Sequence, residues 1–280
     1  MFTVPVMSAV PDRYALVGHP VGHSRSPLIH RLFARQTGDL ITYELIDATE
    51  AQFETAVLGF RAAGGKGLNV TVPHKEAAFR LADRVGEAAA TAGAVNTLSF
   101  GRSGIHGDNT DGTGLMRDLT VNQGQSVEGR RILILGAGGA AKGILGPLLK
   151  AQPSRLVLAN RTLERAVGLA EQFASVGDIE VCAFDDLGTL DAFDILINAT
   201  SAGLKGEQPP FPKGLVDGAS YCYDLVYSLK DTPFVLWARE HGAGQAVQGW
   251  GMLVEQAAES YRIWRGKMPD TAPILKQLMR

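Results

Sequence analysis

The strongest chemical signal in the sequence is a glycine-rich turn, Gly136-Ala137-Gly138-Gly139-Ala140-Ala141, which directly follows an apolar run. In this G-x-G-x-x-A spacing, the first glycine permits a tight turn and the second lets the backbone approach a pyrophosphate. The final alanine lets a helix pack closely against the preceding strand. The glycines could serve the turn alone, but the apolar strand before them favours a dinucleotide-binding site.

A second cluster, Asn160-Arg161-Thr162-Leu163-Glu164-Arg165, is expected at the end of the next strand. Sites for NAD place an Asp or Glu there, against the 2′-hydroxyl of the ribose. Here Arg161 and Arg165 can pair with a 2′-phosphate instead, and Thr162 can donate a hydroxyl hydrogen bond. The segment therefore predicts NADP(H). The alternative is that Thr162 only caps a helix and that both arginines only form a solvated face.

Short polar side chains cluster at two places near the N-terminus. Ser24 and Ser26 lie in a turn-rich segment after a predicted strand. Ser26 can cap the helix that follows, which explains Ser26 and leaves Ser24 free. Asn69 and Thr71 are two residues apart in another predicted strand, so their side chains lie on the same face.

Two charged groups could handle a proton. Lys75 is predicted in the first turn of a helix, where the partial positive charge of the helix N-terminus disfavours an ammonium group. A purely structural role is therefore a poor explanation for this lysine. Asp111 is predicted at the start of another helix, which is a common place for an acid with no chemical role. Asn96, at a further strand, adds another polar group.

The elements that must position these residues alternate between short apolar runs and amphipathic stretches, which indicates an α/β fold with mainly parallel strands. In the first half we predict strands at 14–18, 41–47, 67–72, 95–100 and 105–109, and helices at 27–37, 50–63, 74–85 and 87–93. A helix at 111–120 is predicted to connect the two halves of the chain.

The second half has the pattern of a doubly wound, Rossmann-type domain. We predict strands at 130–135, 155–160, 179–184, 194–199 and 220–225, and helices from the glycine-rich turn to 150 and at 162–174. Final helices are predicted at 253–265 and 272–279. We expect residues 1–107, completed by about 253–280, to form one domain and residues 108–252 to form the dinucleotide-binding domain.

Composition excludes several other classes of protein. The 280 residues carry 27 Lys and Arg against 29 Asp and Glu, a net charge of -2, and nucleic-acid-binding and membrane-surface proteins are typically basic. Apolar runs such as 132–141 reach about half the ~20 residues that a membrane-spanning helix needs. Neither a nucleic acid nor a membrane is therefore expected as a partner.

Cysteine and histidine usage favours a cytoplasmic protein without a metal. Cys182 and Cys222 both lie in apolar runs and are interpreted as buried thiols in a reducing compartment. Residues 1–12 lack the basic start of a secretory signal and are interpreted as a lead-in to the first strand. No metal is expected, because metal-ligand spacing is absent around four histidines, His19, His23, His30 and His106.

From about Tyr14 to Met279 the chain resembles the shikimate dehydrogenases of the shikimate/quinate dehydrogenase family. Nine motifs carry the resemblance and occur in the expected order: GHPVGHSRSP, NVTVPHKE, AVNTL, GDNTDG, GAGGAAKG, NRTLERA, NATSAG, YDLVY and GWGMLVEQA. The resemblance implies two α/β domains, with the final helices returning to the first one. The match is specific, because the nine motifs together span nearly the whole chain.

Residue roles follow from the resemblance, position by position. It implies a catalytic pair, Lys75 and Asp111, and a shikimate site formed by Ser24, Ser26, Asn69, Thr71, Asn96, Gln256 and, near the carboxylate, Tyr227. It implies an NADP site formed by Gly136, Ala137, Gly138, Gly139, Ala140, Asn160, Arg161, Thr162 and Arg165, with Thr200, Gly249 and Met252 at the nicotinamide end. His74 departs from the family and is interpreted as an exposed neighbour of Lys75.

The implied reaction is the reversible NADPH-dependent reduction of 3-dehydroshikimate to shikimate in aromatic amino-acid biosynthesis, by a monomer or homodimer. The polar inventory suits it, because a polyol carboxylate needs many short neutral hydrogen-bonding groups. Either Lys75 or Asp111 could be the proton acceptor. Two alternatives remain open: a quinate/shikimate dehydrogenase that also uses NAD, and a non-catalytic sensor of NADP or a metabolite.

Overall fold

A computed structural model describes residues 10–200 and 211–279. It contains two six-stranded sheets with helices packed on them, one sheet within residues 12–108 and the other within residues 131–248. Most of the predicted lead-in, residues 1–9, and the end of the motif NATSAG, residues 201–203, lie outside the described ranges. The prediction of two α/β domains is confirmed.

The first domain is built on six strands and four helices. The strands are β1 Asp12–Gly18, β2 Ile41–Asp47, β3 Gly65–Val70, β4 Arg84–Val85, β5 Thr97–Gly101 and β6 Gly104–Asp108. The helices are α1 Ser26–Thr37, α2 Phe53–Ala62, α3 Lys75–Leu81 and α4 Glu87–Ala92. The strand order is β2-β1-β3-β5-β6-β4. The sheet is mixed, because β3 and β6 pair antiparallel with β5 while the other pairs are parallel.

The predicted helix at 74–85 is wrong at its C-terminal end. α3 ends at Leu81, and the following residues pair with the outer edge of β6. The backbone N–H of Asp83 donates to the carbonyl of Ile105 at 2.9 Å, and the Asp83 carboxylate accepts from the N–H of Ile105 at 2.7 Å. The edge of β6 thus gains hydrogen-bond partners, which local helix propensity does not reveal.

The second domain has a fully parallel sheet with the order β12-β11-β10-β7-β8-β9. Its strands are β7 Arg131–Leu135, β8 Arg155–Asn160, β9 Glu180–Ala183, β10 Ile195–Asn198, β11 Tyr221–Asp224 and β12 Gln245–Gln248. Ile132 and Ile134 pack into one core, and Leu133 and Leu135 pack into another on the opposite face. Burial on both faces explains why β7 is an unbroken apolar run.

Helices α6 Gly139–Lys150, α7 Leu163–Phe173 and α8 Pro233–Glu240 cover this second sheet. Neither α8 nor β12 was predicted from the sequence. The hydroxyl of Thr232 caps α8 by accepting from the N–H of Val235 at 3.3 Å, and Pro233 begins the helix. A threonine followed by proline is a helix-start signal that the sequence does carry.

Three further helices join the domains. α5 Asp111–Arg117 connects the two sheets and continues into a wider π-helical turn, Asp118–Asn122. α9 Trp250–Arg265 and α10 Ala272–Leu278 return to the first domain, where they share an apolar cluster with α1. That cluster contains Ile29, Phe33, Val254, Ala257, Ala258, Tyr261 and Ile274. The predicted return of the C-terminal helices is confirmed.

Residues 10–200 and 211–279 contain neither a candidate membrane-spanning helix nor a candidate metal site. In those ranges, no helix has both the length and the apolar character required to cross a membrane. Across the same part of the chain, His, Cys, Asp and Glu side chains form no group of three that could hold a metal ion. Cys182 and Cys222 are both buried and unbridged.

Candidate active site

A cavity of about 800 Å³ lies between the two domains, at the carboxyl ends of the strands that form its walls. Parallel strands place their following loops on one edge of the sheet, which is where α/β proteins hold ligands. The walls include twenty of the residues expected at the site: Ser24, Ser26, Asn69, Thr71, Lys75, Asn96, Asp111, Gly136, Ala137, Gly138, Gly139, Ala140, Asn160, Arg161, Arg165, Thr200, Tyr227, Gly249, Met252 and Gln256.

Lys75 and Asp111 meet in this cavity although 36 residues separate them in the chain. The Nζ of Lys75 donates to Oδ2 of Asp111 at 2.5 Å. Their side chains are 15% and 7% exposed, so the pair is shielded from solvent but open to the cavity. Each residue begins its helix, α3 or α5. An amine and a carboxylate in contact at a cavity wall are suited to acid–base chemistry.

The second carboxylate oxygen of Asp111 is held by Asn96. Nδ2 of Asn96 donates to Oδ1 of Asp111 at 2.8 Å, while Oδ1 of Asn96 accepts from the N–H of Thr110 at 2.9 Å. Gln256 from α9 completes the group, with its Oε1 3.4 Å from Nδ2 of Asn96. Because both Asp111 oxygens have partners, the carboxylate is fixed in one orientation toward Lys75.

Two glycines in α5 allow the elements that carry this group to approach closely. A Cβ on Gly112 would lie 2.6 Å from the carbonyl oxygen of Gly143 in α6, and one on Gly114 would lie 2.7 Å from the backbone nitrogen of Gln256 in α9. Any side chain at either position would push α5 away from a neighbour. The sequence Asp111-Gly112-Thr113-Gly114 therefore places the carboxylate between two tightly packed helices.

Asn69 has its hydrogen-bonding groups engaged by protein partners. Its Oδ1 accepts from the hydroxyl of Tyr43 at 2.8 Å, and its Nδ2 donates to Ser260 at 2.9 Å and to Thr97 at 3.2 Å. The side chain is 5% exposed at the cavity floor. Tyr43 and Ser260 were not predicted from the sequence, because their contacts with Asn69 form only when β2 and α9 are in place.

Ser24, Ser26 and Tyr227 form a hydroxyl-bearing part of the cavity wall. The hydroxyl of Ser24 donates to that of Ser26 at 3.2 Å and accepts from the Ser26 N–H at 3.2 Å. Tyr227 comes from the second domain, and its hydroxyl lies against Ser24 and the backbone of Arg25. Burial raises the pKa of Tyr227, which keeps the phenol protonated at neutral pH. This wall presents three hydroxyl groups from both domains.

The glycine-rich turn has the geometry expected of a pyrophosphate cradle. Gly136 has a φ of 104°, which glycine adopts without strain, and its N–H donates to the carbonyl of Ala159 at 2.7 Å. The N–H of Ala137 donates to Oδ1 of Asn160 at 3.1 Å. α6 begins at Gly139, and the N–H groups of its first turn are available to an anion. The residues at this turn fit NADP.

The segment after β8 places two cations at the outer end of the cavity. Arg161 and Arg165 are exposed and line it, next to Phe184 and Phe211, which stack edge to face at 5.4 Å. Thr162 is exposed at the N-cap of α7, is not among the cavity-lining residues, and makes no side-chain cap. Its expected contact with NADP stays a prediction.

The interpretation of His74 as an exposed neighbour of Lys75 is wrong. His74 is 1% exposed and stacks on Phe53, with ring centroids 4.6 Å apart. Its Nε2 lies 2.7 Å from the carbonyl oxygen of Ala48. The imidazole therefore anchors the start of α3 to the core.

The apolar side chains that complete the cavity were not predicted from the sequence. They are Leu16, Val21, Val70, Val72, Ala199, Leu225, Val226 and Leu253.

Family models match three parts of the chain. The shikimate dehydrogenase substrate binding domain matches residues 16–98, the shikimate / quinate 5-dehydrogenase model matches residues 118–205, and the shikimate 5'-dehydrogenase C-terminal domain matches residues 249–279. The three segments fall in the first sheet, in the second sheet and on α9 with α10. They account for most of the chain.

Individual relatives also match this chain over nearly its whole length. The chain is 55% identical to the shikimate dehydrogenase (NADP(+)) of Alkalilimnicola ehrlichii over 95% of its own length and 98% of the relative's. It is 52% identical to that of Aromatoleum aromaticum, with 96% and 97% covered.

Two solved structures show the corresponding fold. An Ael1 enzyme from Pseudomonas putida is 45% identical, with a TM-score of 0.88 and 96% and 98% of the two chains covered. A shikimate 5-dehydrogenase from Thermus thermophilus in complex with NADP(H) and shikimate is 31% identical, with a TM-score of 0.84 and 95% and 97% covered.

Proposed function

The chain belongs to the shikimate dehydrogenase family, and from this premise we propose which of its residues carry the family's reaction. That reaction is the reversible NADPH-dependent reduction of 3-dehydroshikimate to shikimate. The observation that supports our assignment most strongly is the contact of Lys75 with Asp111 in a cavity that also contains the glycine-rich turn. Proton-handling groups and the predicted cofactor site thus face one space.

We propose that Lys75 handles the proton. In the direction of reduction its ammonium group donates to the oxygen of the substrate carbonyl, and in the direction of oxidation its amine accepts the hydroxyl proton. Asp111 holds the Nζ in position, and Asn96 holds Asp111. Bound NADPH supplies the hydride. The low exposure of both side chains keeps bulk water away from the proton transfer.

The remaining polar wall is assigned to the substrate. Ser24, Ser26, Thr71, Asn96, Tyr227 and Gln256 bind the hydroxyl groups and the carboxylate, while Asn69 contributes chiefly by fixing the floor beneath them. Short neutral groups in a partly enclosed cavity suit a small polyol acid. Tyr227 reaches this wall from the second domain, so it links substrate binding to the approach of the two domains.

The cofactor is assigned to the opposite part of the cavity. The turn from Gly136 to Ala140 and the start of α6 bind the pyrophosphate, and Asn160, Arg161, Thr162 and Arg165 bind the adenosine 2′-phosphate end. Thr200, Gly249 and Met252 line the nicotinamide end. All of these residues except Thr162 lie on the cavity wall.

The proposal also includes the domain boundaries, the oligomeric state and the cellular location. Residues 1–107 with about 253–280 form the substrate domain, and residues 108–252 form the NADP domain. This division is supported by the packing of α9 and α10 on α1. We propose a cytoplasmic protein, monomer or homodimer. The cytoplasmic location is supported by Cys182 and Cys222, which are buried free thiols of the kind a reducing compartment maintains.

The direct test of the function is a turnover assay. Purified protein mixed with 3-dehydroshikimate should consume NADPH, as followed by the loss of NADPH absorbance, and should release shikimate. A non-catalytic sensor would bind both ligands without turnover. Kinetics with quinate and with NAD would then show whether the chain has the wider activity of a quinate/shikimate dehydrogenase.

Substrate binding is tested by two separate substitutions. Ser24→Ala and Gln256→Ala should each weaken shikimate binding by roughly 1–2 kcal/mol, because each removes a hydrogen-bonding group. The affinity for NADP should stay within about twofold, since neither residue is assigned to the cofactor. Titration calorimetry with each ligand gives both constants. Thr49→Ala is a suitable control, because that hydroxyl is exposed in a helix-capping turn.

A parallel loss of both affinities would contradict this assignment. So would a large fall in thermal stability with unchanged shikimate affinity. In the first case Ser24 would only shape the turn before α1, and in the second Gln256 would only stabilise the contact of α9 with α5.

A further inference from the structure

A buried carboxyl group joins the ends of β10 and β11 behind the cavity wall. Asp224 is 0% exposed and Asn198 is 2% exposed. The two residues are register partners in adjacent parallel strands, so their side chains project from the same face of the sheet. They are the last residues of their strands, directly before backbone that lines the cavity.

The hydrogen bonds of the pair form a relay toward that backbone. Oδ1 of Asp224 accepts from Nδ2 of Asn198 at 3.0 Å and from the N–H of Val226 at 3.1 Å, and its Oδ2 accepts from the hydroxyl of Thr232 at 2.5 Å. Because Nδ2 of Asn198 is committed to Asp224, its Oδ1 faces the other way. There it accepts from the N–H of Thr200 at 3.2 Å and from its hydroxyl at 2.7 Å.

Three donors converge on Asp224, which requires an acceptor-only side chain. Burial raises the pKa of Asp224 to about 6, so the carboxylate remains largely ionised at neutral pH. The partners of the carboxyl among the described residues are an amide, a hydroxyl and a backbone N–H, and none of them titrates between pH 6 and pH 9. The carboxylate therefore fixes which way the Asn198 amide points.

We propose that Asn198 and Asp224 are positioning residues for the cofactor. Through this relay they hold Thr200 and Val226 where the end of the cavity must accept the nicotinamide ring. Neither residue touches the cofactor. The inference rests on the proposed cofactor site and deepens that proposal. Asn198 and Asp224 each lie two residues before the residue that they hold, and together they set the shape of the nicotinamide end.

The variant Asn198→Asp tests the relay through pH. At pH 6 the two buried carboxyl groups should share one proton, so that residue 198 still donates to Asp224 and still accepts from Thr200. At pH 9 both should ionise and repel each other. Relative to the unsubstituted protein at the same pH, the Kd for NADP should rise by less than about threefold at pH 6 and by about tenfold or more at pH 9. The Kd for shikimate should change by less than about twofold.

A second variant removes one charge and should abolish the dependence on pH. In Asn198→Asp with Asp224→Asn, one carboxylate remains and can accept from both Thr200 and the new amide. The amide at 224 no longer accepts from the N–H of Val226, so NADP affinity should be lowered by a similar factor at pH 6 and pH 9. The dependence of relative NADP affinity on pH should then disappear. This variant also keeps the test decisive if Asn198→Asp alone unfolds at pH 9, because the paired variant contains no repelling carboxylates.

The matched control is Ser220→Ala at the opposite end of the same two strands. The hydroxyl of Ser220 donates to the carbonyl of Phe193 at 2.7 Å and accepts from the N–H of Asp217 at 3.0 Å. The residue is 1% exposed, so its loss should lower the melting temperature without changing the affinity for NADP.

The inference is overturned if Asn198→Asp binds NADP normally at pH 9, or if NADP and shikimate weaken together as the melting temperature falls. Failure of the proposed function has a different signature. In that case the unsubstituted protein itself would neither bind NADP nor turn over 3-dehydroshikimate.

Discussion

Replacing Lys75 by methionine should lower kcat by roughly 10²–10⁴, the range for loss of general acid–base catalysis, with a smaller change in KM. Methionine has a similar length and no proton to donate. The contact at 2.5 Å with Asp111 would be lost, while Asn96 would still hold the carboxylate. Steady-state kinetics in both directions, with circular dichroism to confirm folding, would measure the effect.

Asp111→Asn provides the partner measurement. It should also lower kcat, and the double variant should be little slower than the slower single variant, because both changes disable one proton transfer. Lys150→Met is a matched control. That lysine pairs with Glu87 at 2.6 Å between α6 and α4, with both side chains exposed, so kcat should not change.

Full additivity of the Lys75 and Asp111 losses would contradict the idea that they act as a pair. A Lys75→Met enzyme with normal kcat and a raised KM would mean that the lysine is a cation that binds substrate. Only the second result would mean that a group other than Lys75 handles the proton.

The second large effect concerns the choice of cofactor. Replacing both Arg161 and Arg165 by glutamine should raise the KM for NADP by about a hundredfold or more. Each charge-assisted contact with a phosphate contributes ~1.5–3 kcal/mol, which is at least tenfold per arginine. The KM for NAD should change little, because NAD has no 2′-phosphate. The ratio of kcat/KM for the two cofactors would measure the change in preference.

Arg102→Gln is the control for a general loss of positive charge, because Arg102 is exposed in the turn between β5 and β6. An equal loss of NADP and NAD activity in the double variant would show that the arginines only stabilise the region around α7. A stronger salt dependence of NADP binding in the unsubstituted protein than in the variant would support the phosphate contact independently.

The residues that the sequence identified most directly are those whose roles depend on local structure. β7 and the turn from Gly136 need only a buried apolar run and glycines at fixed offsets, so the Rossmann-type domain could be predicted from the sequence. Lys75 and Asp111 could be singled out because each begins a helix. Their contact could not be derived from local pattern, since it depends on how α5 packs between α6 and α9.

Other features depend on tertiary contacts that local pattern does not contain. α3 ends early because the residues after it pair with the edge of β6, and His74 is buried because it contacts Phe53 and Ala48. Asn69 was correctly placed at the cavity, but its saturation by Tyr43 and Ser260 follows from partners distant in the chain. For α8, the start signal at Thr232 was present in the sequence.

The path of α9 has a consequence for how the enzyme is made. Its first turns contribute Met252 and Gln256 to the cavity wall, where we propose that they face the cofactor and the substrate, and Ser260 contacts Asn69 at 2.9 Å. Both sheets precede this helix in the chain, and N-terminal regions fold first during synthesis. A nascent polypeptide therefore has two paired sheets and no working site until residues 250–265 leave the ribosome. Until then the apolar face of α1 that α9 covers has no partner from that helix.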